Sequence, residues 1–311
     1  MKNNNSIHTW LPMVGLLLGT LALGFSSLFV LWAKAPGMVT AFYREAFACA
    51  FTALPIFFMT RKEWPLSGKH VIYAAIAGIF FAAEIALWNT SVFMTSAANA
   101  TLFNNTSVLW VGLAAAFIFR ESLSYKFWLG ITTAFVGIVI IIGSDFLQHP
   151  KIGLGDFLAI IAATGYAVFF LATQCSREKL GVLSSFWISA FAGALFLLPV
   201  CLLSGKPLTG YPPVTYWSFL GVALVTQVGG YVAINYALGH LPATVVSSTV
   251  LLQPVITAIL AAVFVGQPIV PNQIFGGVFI LAGIYTVHRS RIKKPKSAPL
   301  EQEITRSLEE A

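Results

Sequence analysis

Long apolar runs separated by short polar breaks dominate this chain of 311 residues. The runs are about 18 to 23 residues long, and a helix of that length spans the ~30 Å hydrocarbon layer of a bilayer. The pattern therefore predicts an all-α integral membrane protein with ten transmembrane helices. Their approximate bounds are Leu11 to Trp32, Val39 to Met59, Val71 to Val92, Ala98 to Phe119, Phe127 to Ile142, Leu154 to Ala172, Ser184 to Leu203, Tyr216 to Leu238, Thr244 to Val265 and Gln273 to Val287.

The second half of the chain repeats the first. Residues 146 positions apart match over helices three to five, and a second match at a shift of 144 aligns Phe42 with Phe186 and Pro55 with Pro199. Because each half holds an odd number of helices, the second copy must cross the membrane in the opposite sense, as in secondary transporters with inverted repeats. We expect five-helix repeats at 11–145 and 153–288, then a charged cytoplasmic tail at 289–311. Aligned pairs at the shift of 146 include Asn89 and Asn235, Ala97 and Ala243, Gly130 and Gly276, and Gly137 and Gly283.

Composition and charge support the membrane assignment and give an orientation. The chain is 58% hydrophobic and 9% charged, against roughly 25% charged residues in soluble domains. If both termini are cytoplasmic, fourteen Lys and Arg residues lie on that side and three on the other, as the positive-inside rule requires. The net charge of +7 therefore reflects topology, and we expect no nucleic-acid partner. The predicted location is an inner (plasma) membrane.

Familiar catalytic motifs are missing from the sequence. Cys49, Cys175 and Cys201 lie in or beside apolar runs without metal-ligand or pairing spacing. There is no HExxH motif, and neither Ser-Gly-Lys tripeptide has the flanking residues of a phosphate-binding loop. We therefore expect no metal, no cofactor and no enzymatic activity.

Three charged residues, Arg44, Glu45 and Glu84, lie well inside the predicted spans. A charge in the bilayer costs at least ~2.5 to 3.5 kcal/mol, so each needs a partner, water or a function. One hypothesis is a structural Arg44–Glu84 ion pair that clamps helices 2 and 3. The other places Glu84 on a cavity wall, where its carboxylate could bind a cationic solute or exchange a proton. We expect Glu45 to reach the outer interface.

The repeat draws attention to Glu84, because its counterpart in the second half is Gly230. A residue needed only for a symmetrical scaffold is expected in both halves, so a one-sided carboxylate favours a function. Polar and aromatic residues of helices 3, 4, 6, 8 and 9 could complete a solute-binding cavity, with interhelical hydrogen bonding as the alternative role for the polar ones. The predicted binding residues are Glu84, Trp88, Asn104, Asn105, Tyr166, Gln227, Tyr231, Asn235 and Gln253.

Short motifs in both halves resemble those of the EamA group in the drug/metabolite transporter superfamily. In the first half they are Ala86-Leu87-Trp88-Asn89, Thr95 to Ala100, Phe119-Arg120-Glu121 and Leu129-Gly130; in the second, Ala233 to Leu238, Leu252-Gln253-Pro254-Val255, Gly266-Gln267 and Phe275-Gly276-Gly277. The resemblance covers nearly the whole chain. It implies ten helices, a central cavity lined mainly by helices 1, 3, 4, 6, 8 and 9, and export or exchange of small metabolites. Thr106-Ser107-Val108 lacks the usual proline, and Gln267 replaces the usual acidic residue.

These observations predict a secondary transporter that exports a small organic solute by alternating access, driven by the solute gradient or by a proton gradient. Its partners would be the solute and membrane lipid, and the protein would be a monomer or a homodimer. The alternatives are a membrane-embedded enzyme, which needs a convergent set of catalytic groups, and a channel without alternating access, which needs a continuous polar pore.

Overall fold

The computed structural model describes residues 10–59, 68–95, 97–148, 153–266 and 268–290, and this part of the chain is helical without strands. Gln267 and most of the predicted tail, 291–311, lie outside the described residues. The helices are α1 (Trp10–Gly24), α2 (Ser26–Ala33), α3 (Gly37–Met59), α4 (Gly68–Met94), α5 (Ala97–Asn104), α6 (Ser107–Phe117), α7 (Tyr125–Gln148), α8 (Leu154–Ser176), α9 (Val182–Leu203), α10 (Pro213–Gly221), a π-helical segment (Val222–Tyr231), α11 (Val232–Leu238), α12 (Ala243–Val250), α13 (Gln253–Val265) and α14 (Pro271–His288).

Within the described ranges, eight helical segments are long and apolar enough to cross a membrane. A ninth apolar helix, Tyr125–Ile141, is shorter. The segments often combine consecutive helices, so that α1 with α2, and α10 with the π-helical segment and α11, each make one rod. The protein is therefore an all-helical, multi-pass membrane protein, and α14 packs along α7.

Two rods are interrupted at the same repeat position. The break between α5 and α6 follows Asn104, and the break between α12 and α13 follows Val250, 146 residues later. Pro254 explains the second break because proline lacks an amide hydrogen and cannot continue the helical hydrogen bonds. The first break forms without proline, and its backbone bonds match those of the second: the amide of Leu109 donates to Thr106 and the amide of Val255 donates to Leu252.

The crossing of α7 and α14 depends on glycines. A Cβ atom added to Gly130 would lie 2.7 Å from the carbonyl oxygen of Gly283, and one added to Gly137 would lie 2.5 Å from that of Gly276. Larger residues would force these backbones apart, as at other membrane helix contacts built on small residues. The shift of 146 aligns Gly130 with Gly276 and Gly137 with Gly283, so the two contacts are equivalent positions of the repeat.

The centre of the bundle is formed by α4 packed along α8, and by α1 packed along the π-helical segment and α11. These two crossings occupy equivalent positions in the two halves of the sequence. Asn89 on α4 donates a 2.9 Å hydrogen bond to the carbonyl of Gly37 at the start of α3. Its repeat counterpart, Asn235, donates a 3.4 Å bond to Ser185 near the start of α9. The repeated asparagines thus tie equivalent helices together.

Candidate functional site

A cavity of about 580 Å³ lies among helices of both halves. Its volume is within the ~300–1,000 Å³ range of small-molecule pockets. The side chains in its wall come from α1, α2, α3, α4, the broken α5–α6 and α12–α13 rods, α8 and the π-helical segment, with single residues from α7 and α14. Predicted site residues in this wall are Arg44, Glu84, Trp88, Asn104, Asn105, Tyr166, Tyr231 and Gln253.

Glu84 reaches the cavity from α4 and is 5% exposed. Asn104 Nδ2, at the end of α5, donates a 2.9 Å hydrogen bond to its carboxylate oxygen Oε1. The helix break brings this amide to the carboxylate, and a hydrogen bond to a charged group is stronger than one between neutral groups. Opposite Glu84 on α8 is Gly165, where an added Cβ would lie 3.5 Å from the Cβ of Glu84.

The guanidinium of Arg44 also faces the cavity, but it is not ion-paired with Glu84. Among the described residues, no carboxylate oxygen lies within 4.0 Å of its nitrogens. Instead, Arg44 Nε donates a 2.6 Å hydrogen bond to Gln227 Oε1. The rings of Phe81 and Tyr231 lie 5.5 and 5.3 Å from its central carbon, which gives cation–π contacts. A direct Arg44–Glu84 contact is therefore absent among the described residues, and the neutral amide of Gln227 is the hydrogen-bond partner of Arg44 Nε.

Glu45 corrects a second expectation. Its side chain is 1% exposed and does not reach the interface. Gln227 Nε2 donates a 2.7 Å hydrogen bond to Glu45 Oε1. Arg44 and Glu45 point in different directions from the same helix, but the two ends of one amide can reach both. Sequence spacing on α3 alone gives no sign of this bridge.

Two polar atoms of the cavity wall are buried without a hydrogen-bond partner among the described residues: Trp88 Nε1, a donor, and Asn104 Oδ1, an acceptor. Buried polar atoms in native proteins are normally satisfied, so an orphaned pair beside a cavity is available to water or a solute. Four other predicted residues of the wall have hydrogen-bond partners. Asn105 donates to the carbonyl of Thr101, Gln253 to that of Leu23, and the hydroxyls of Tyr166 and Tyr231 share a 2.9 Å bond.

The structure does not place the predicted residues Gln227 and Asn235 in the cavity wall. Gln227 lies behind Arg44, with both ends of its amide occupied by Arg44 and Glu45. Asn235 faces α9, and its backbone carbonyl accepts a 3.1 Å hydrogen bond from Arg177 Nε. Both amides are held by interhelical hydrogen bonds.

The π-helical segment, Val222–Tyr231, was not anticipated from the sequence. At 100° per residue, Val222 and Tyr231 would lie on opposite faces of an α-helix, because nine residues turn the chain by two and a half turns. A π-helix, with its i to i+5 hydrogen bonds, has more residues in each turn and so rotates less per residue, which brings positions 222 and 231 closer to one face. Both side chains therefore face the cavity. The adjacent Gly229 and Gly230, weak helix formers, are the local sequence feature that accompanies the widening.

The two ends of the cavity are packed differently. On one side, α6 packs against α12. The repeat-equivalent pair is α13 and α5, and these helices have no comparable packing among their described residues. Instead, Thr101 and Asn104 of α5 and Thr257, Ala258 and Ala261 of α13 line the cavity. The cavity therefore lies between α5 and α13, which are apart. The packed helices α6 and α12 are at its other end.

Several curated proteins are similar to this chain. A probable amino-acid metabolite efflux pump of Salmonella typhimurium is 28% identical over 74% of this chain and 79% of that protein. A probable terminal-alkyne amino-acid exporter of Streptantibioticus cattleyicolor is 23% identical over 61% of this chain and 63% of its own length. An uncharacterized transporter of Bacillus subtilis, YyaM, is 28% identical over 74% of this chain and 76% of that protein.

A solved crystal structure of another protein shares the fold with a TM-score of 0.74. It covers 88% of this chain and 95% of that chain at 13% sequence identity, so the likeness concerns the fold alone. The sequence model of the EamA-like transporter family matches residues 10–143 and again residues 153–289. The resemblance seen in the sequence motifs is thereby confirmed, and the chain belongs to the EamA-like transporter family.

Proposed function

We propose that this membrane transporter is a secondary exporter that moves a small organic solute by alternating access through the cavity around Glu84. The observation that carries the proposal is the unequal packing of α6–α12 and α5–α13 around one cavity. If the halves are inverted repeats, exchanging their conformations would separate α6 from α12 and join α5 to α13. The same cavity would then open on the opposite side of the membrane.

The proposed topology is ten crossings in two inverted five-helix repeats, at 11–145 and 153–288, with both termini in the cytoplasm of a bacterial-type inner membrane. Support comes from the coincident helix breaks and from the double match of the family model. The Gly130–Gly283 and Gly137–Gly276 contacts, which the repeat interchanges, add to it. In this orientation α5 and α13 lie toward the outside, so the cavity is accessible from the exterior.

The chemistry of the wall favours a small polar solute that carries an amine. Glu84, which is bonded to Asn104, offers a carboxylate, Trp88 adds an N–H donor without a partner among the described residues, and Tyr166 and Tyr231 supply aromatic surface. Relatives named as an amino-acid metabolite efflux pump and an amino-acid exporter make amino acids and their derivatives the first class to test.

Proteoliposomes provide the test. Vesicles loaded with unlabelled leucine, phenylalanine, threonine or cysteine are diluted into the labelled compound, and counterflow is measured. We expect wild-type protein to accumulate at least one label transiently. We expect Glu84→Gln to lose most of that signal, because the amide cannot neutralise an ammonium group. Glu178→Gln, at a surface carboxylate with a 67% exposed side chain, is the matched control.

A pH gradient distinguishes a proton-coupled exporter from a facilitator. If Glu84 exchanges a proton for the solute, an imposed gradient accelerates wild-type transport and has no effect on the residual transport of Glu84→Gln. Equal responses of both proteins would remove Glu84 from the coupling step. Linear, unsaturable flux without counterflow would favour a channel and contradict alternating access.

A further inference from the structure

The side chain of Arg44 combines two properties that rarely occur together in a membrane protein. It is 7% exposed, so most of its surface is out of contact with solvent. No carboxylate among the described residues lies within 4.0 Å of it, although Glu84 is near enough to attract it electrostatically. A buried guanidinium is most favourable with a carboxylate in direct contact, so the carboxylate of a solute would be a suitable partner.

The contacts of Arg44 determine which of its donors are available. Gln227 takes the Nε–H, at 2.6 Å, and the rings of Phe81 and Tyr231 lie beside the group. Among the described residues, the guanidinium also has a long contact of 3.5 Å from Nη1 to the hydroxyl of Ser26, and the hydroxyl of Tyr231 interacts with it. Ser26 and Arg44 are both in the cavity wall. The terminal N–H groups, which bind carboxylates in a two-pronged geometry, are therefore the part of Arg44 that the cavity receives.

To hold Arg44 in a single orientation, the amide of Gln227 must itself be fixed. Glu45 provides this, because its Oε1 accepts a 2.7 Å bond from Gln227 Nε2 and so directs the amide oxygen toward Arg44. Gln227 and Glu45 are 3% and 1% exposed, and neither faces the cavity. Their contacts thus serve Arg44 and not the solute.

The three residues are one-sided with respect to the repeat. Gln227 aligns with Phe81 at the shift of 146, and Arg44 and Glu45 align with Ile188 and Ser189 at the shift of 144. A device that only joined the scaffold would be expected in both halves. Instead, the cation Arg44 and the carboxylate Glu84 lie at separate positions on the wall of one cavity.

Building on the proposed function, we infer that Arg44 binds a carboxylate of the solute and that Gln227, oriented by Glu45, is the residue that positions it. A solute with an ammonium and a carboxylate group then satisfies Glu84 and Arg44 together. The solute carboxylate would then make the direct contact with the guanidinium that no carboxylate of the described residues makes.

The test compares each amino acid with its own amide, which retains the ammonium group and the side chain but loses the carboxylate. Thermal stability of purified wild-type protein is titrated with leucine, phenylalanine and threonine and with leucinamide, phenylalaninamide and threoninamide, since a ligand that binds the folded state raises its stability. We expect at least one acid to bind about ten-fold or more tightly than its amide, from the loss of a charge-assisted hydrogen-bonded contact. Equal affinity for every acid and its amide, or no binding of any acid, would overturn the inference.

Variants separate positioning from overall structure. Gln227→Met keeps the side-chain length without the amide, and we expect the acid-over-amide ratio to fall to near one. Glu45→Gln still offers an oxygen to Gln227 and should retain the ratio, whereas Glu45→Leu should lose it. Glu178→Gln is the exposed control. A Gln227→Met protein that keeps the wild-type ratio would contradict the positioning role.

This test can fail without affecting the transporter proposal. Counterflow of a solute without a carboxylate, carried by wild-type protein and lost in Glu84→Gln, would leave the proposed function intact and eliminate the carboxylate site. The wild-type comparison of acid and amide requires no variant, so it remains decisive if Gln227→Met does not fold.

Discussion

The two central crossings differ at one position although they occupy equivalent places in the two halves. In the first half, α4 carries Glu84 where it meets Gly165 of α8, and the carboxylate turns into the cavity. In the second half, the π-helical segment carries Gly230 where it meets Gly19 of α1, and a Cβ added to Gly19 would lie 2.9 Å from the carbonyl oxygen of Gly230. One crossing makes room for a charged side chain, and the other brings two backbones together.

This difference distinguishes the helix packing that both halves share from the polar groups of the cavity that only the first half has. Both crossings use a glycine on one helix to admit the partner helix, so close packing is common to the two halves. The carboxylate, the Asn104 amide that binds it and the Arg44 guanidinium occur in the first half alone. Substitutions at and around the two crossings should therefore test whether this difference is the basis of binding.

The largest effect is expected from Gly230→Glu, which gives the second crossing a carboxylate. The counterpart of Asn104 there is Val250, so no amide would receive it. An unpaired intramembrane charge costs at least ~2.5 to 3.5 kcal/mol, and we expect a large loss of folded protein in size-exclusion chromatography. Gly230→Ala is the control for the added Cβ, which would lie 3.2 Å from the side-chain end of Leu23 and 3.3 Å from the carbonyl oxygen of Gly19. A well-folded Gly230→Glu protein would contradict the proposed division.

Gly165→Leu should have the next largest effect. An added Cβ already lies 3.2 Å from the carbonyl oxygen of Phe80, and a leucine would press α8 away from Glu84. Overpacking of this kind costs about 1–3 kcal/mol, which we expect as a lower midpoint of thermal unfolding and weaker solute binding. Gly165→Ala should lose less of both. Unchanged binding in Gly165→Leu would mean that the crossing does not position Glu84.

Asn104→Val replaces the amide with the residue of the second half. It removes the 2.9 Å bond to Glu84, and we expect solute affinity to fall by about ten-fold from the loss of a charge-assisted hydrogen bond. A cycle with Glu84→Gln tests the coupling, since the effects of contacting residues are not additive. If the two losses simply add, Asn104 does not act through Glu84.

The smallest effect is expected from the hydroxyl pair that connects the two crossings. Tyr166 of α8 and Tyr231 of the π-helical segment share a 2.9 Å hydrogen bond. Tyr166→Phe and Tyr231→Phe should each cost about 1 kcal/mol, and the double variant little more, because removing both partners leaves no unsatisfied hydroxyl. Thermal unfolding in one detergent measures all three. A double variant that loses the sum of both would exclude a direct bond as the source of the stability.

Part of this arrangement could be predicted from the sequence. The repeat identifies Glu84 against Gly230, and its register matches the coincident breaks after Asn104 and Val250. The Gln227 bridge could not be predicted, because periodicity places residues on faces of one helix but does not pair helices distant in sequence. The π-helical segment was also missed, since a five-residue hydrogen-bond pattern leaves little trace in apolar periodicity.

Distances between spin labels on the α5–α13 pair and on the α6–α12 pair test alternating access most directly. Labels on Asn99 of α5 and Ile259 of α13 form one pair, and labels on Val245 of α12 and Leu113 of α6 form the other, which the shift of 146 interchanges. In liposomes, we predict that conditions which shorten the α5–α13 distance lengthen the α6–α12 distance, so that the two populations change in opposite directions. Distances that stay fixed, or that shorten and lengthen together, would contradict alternating access through this cavity.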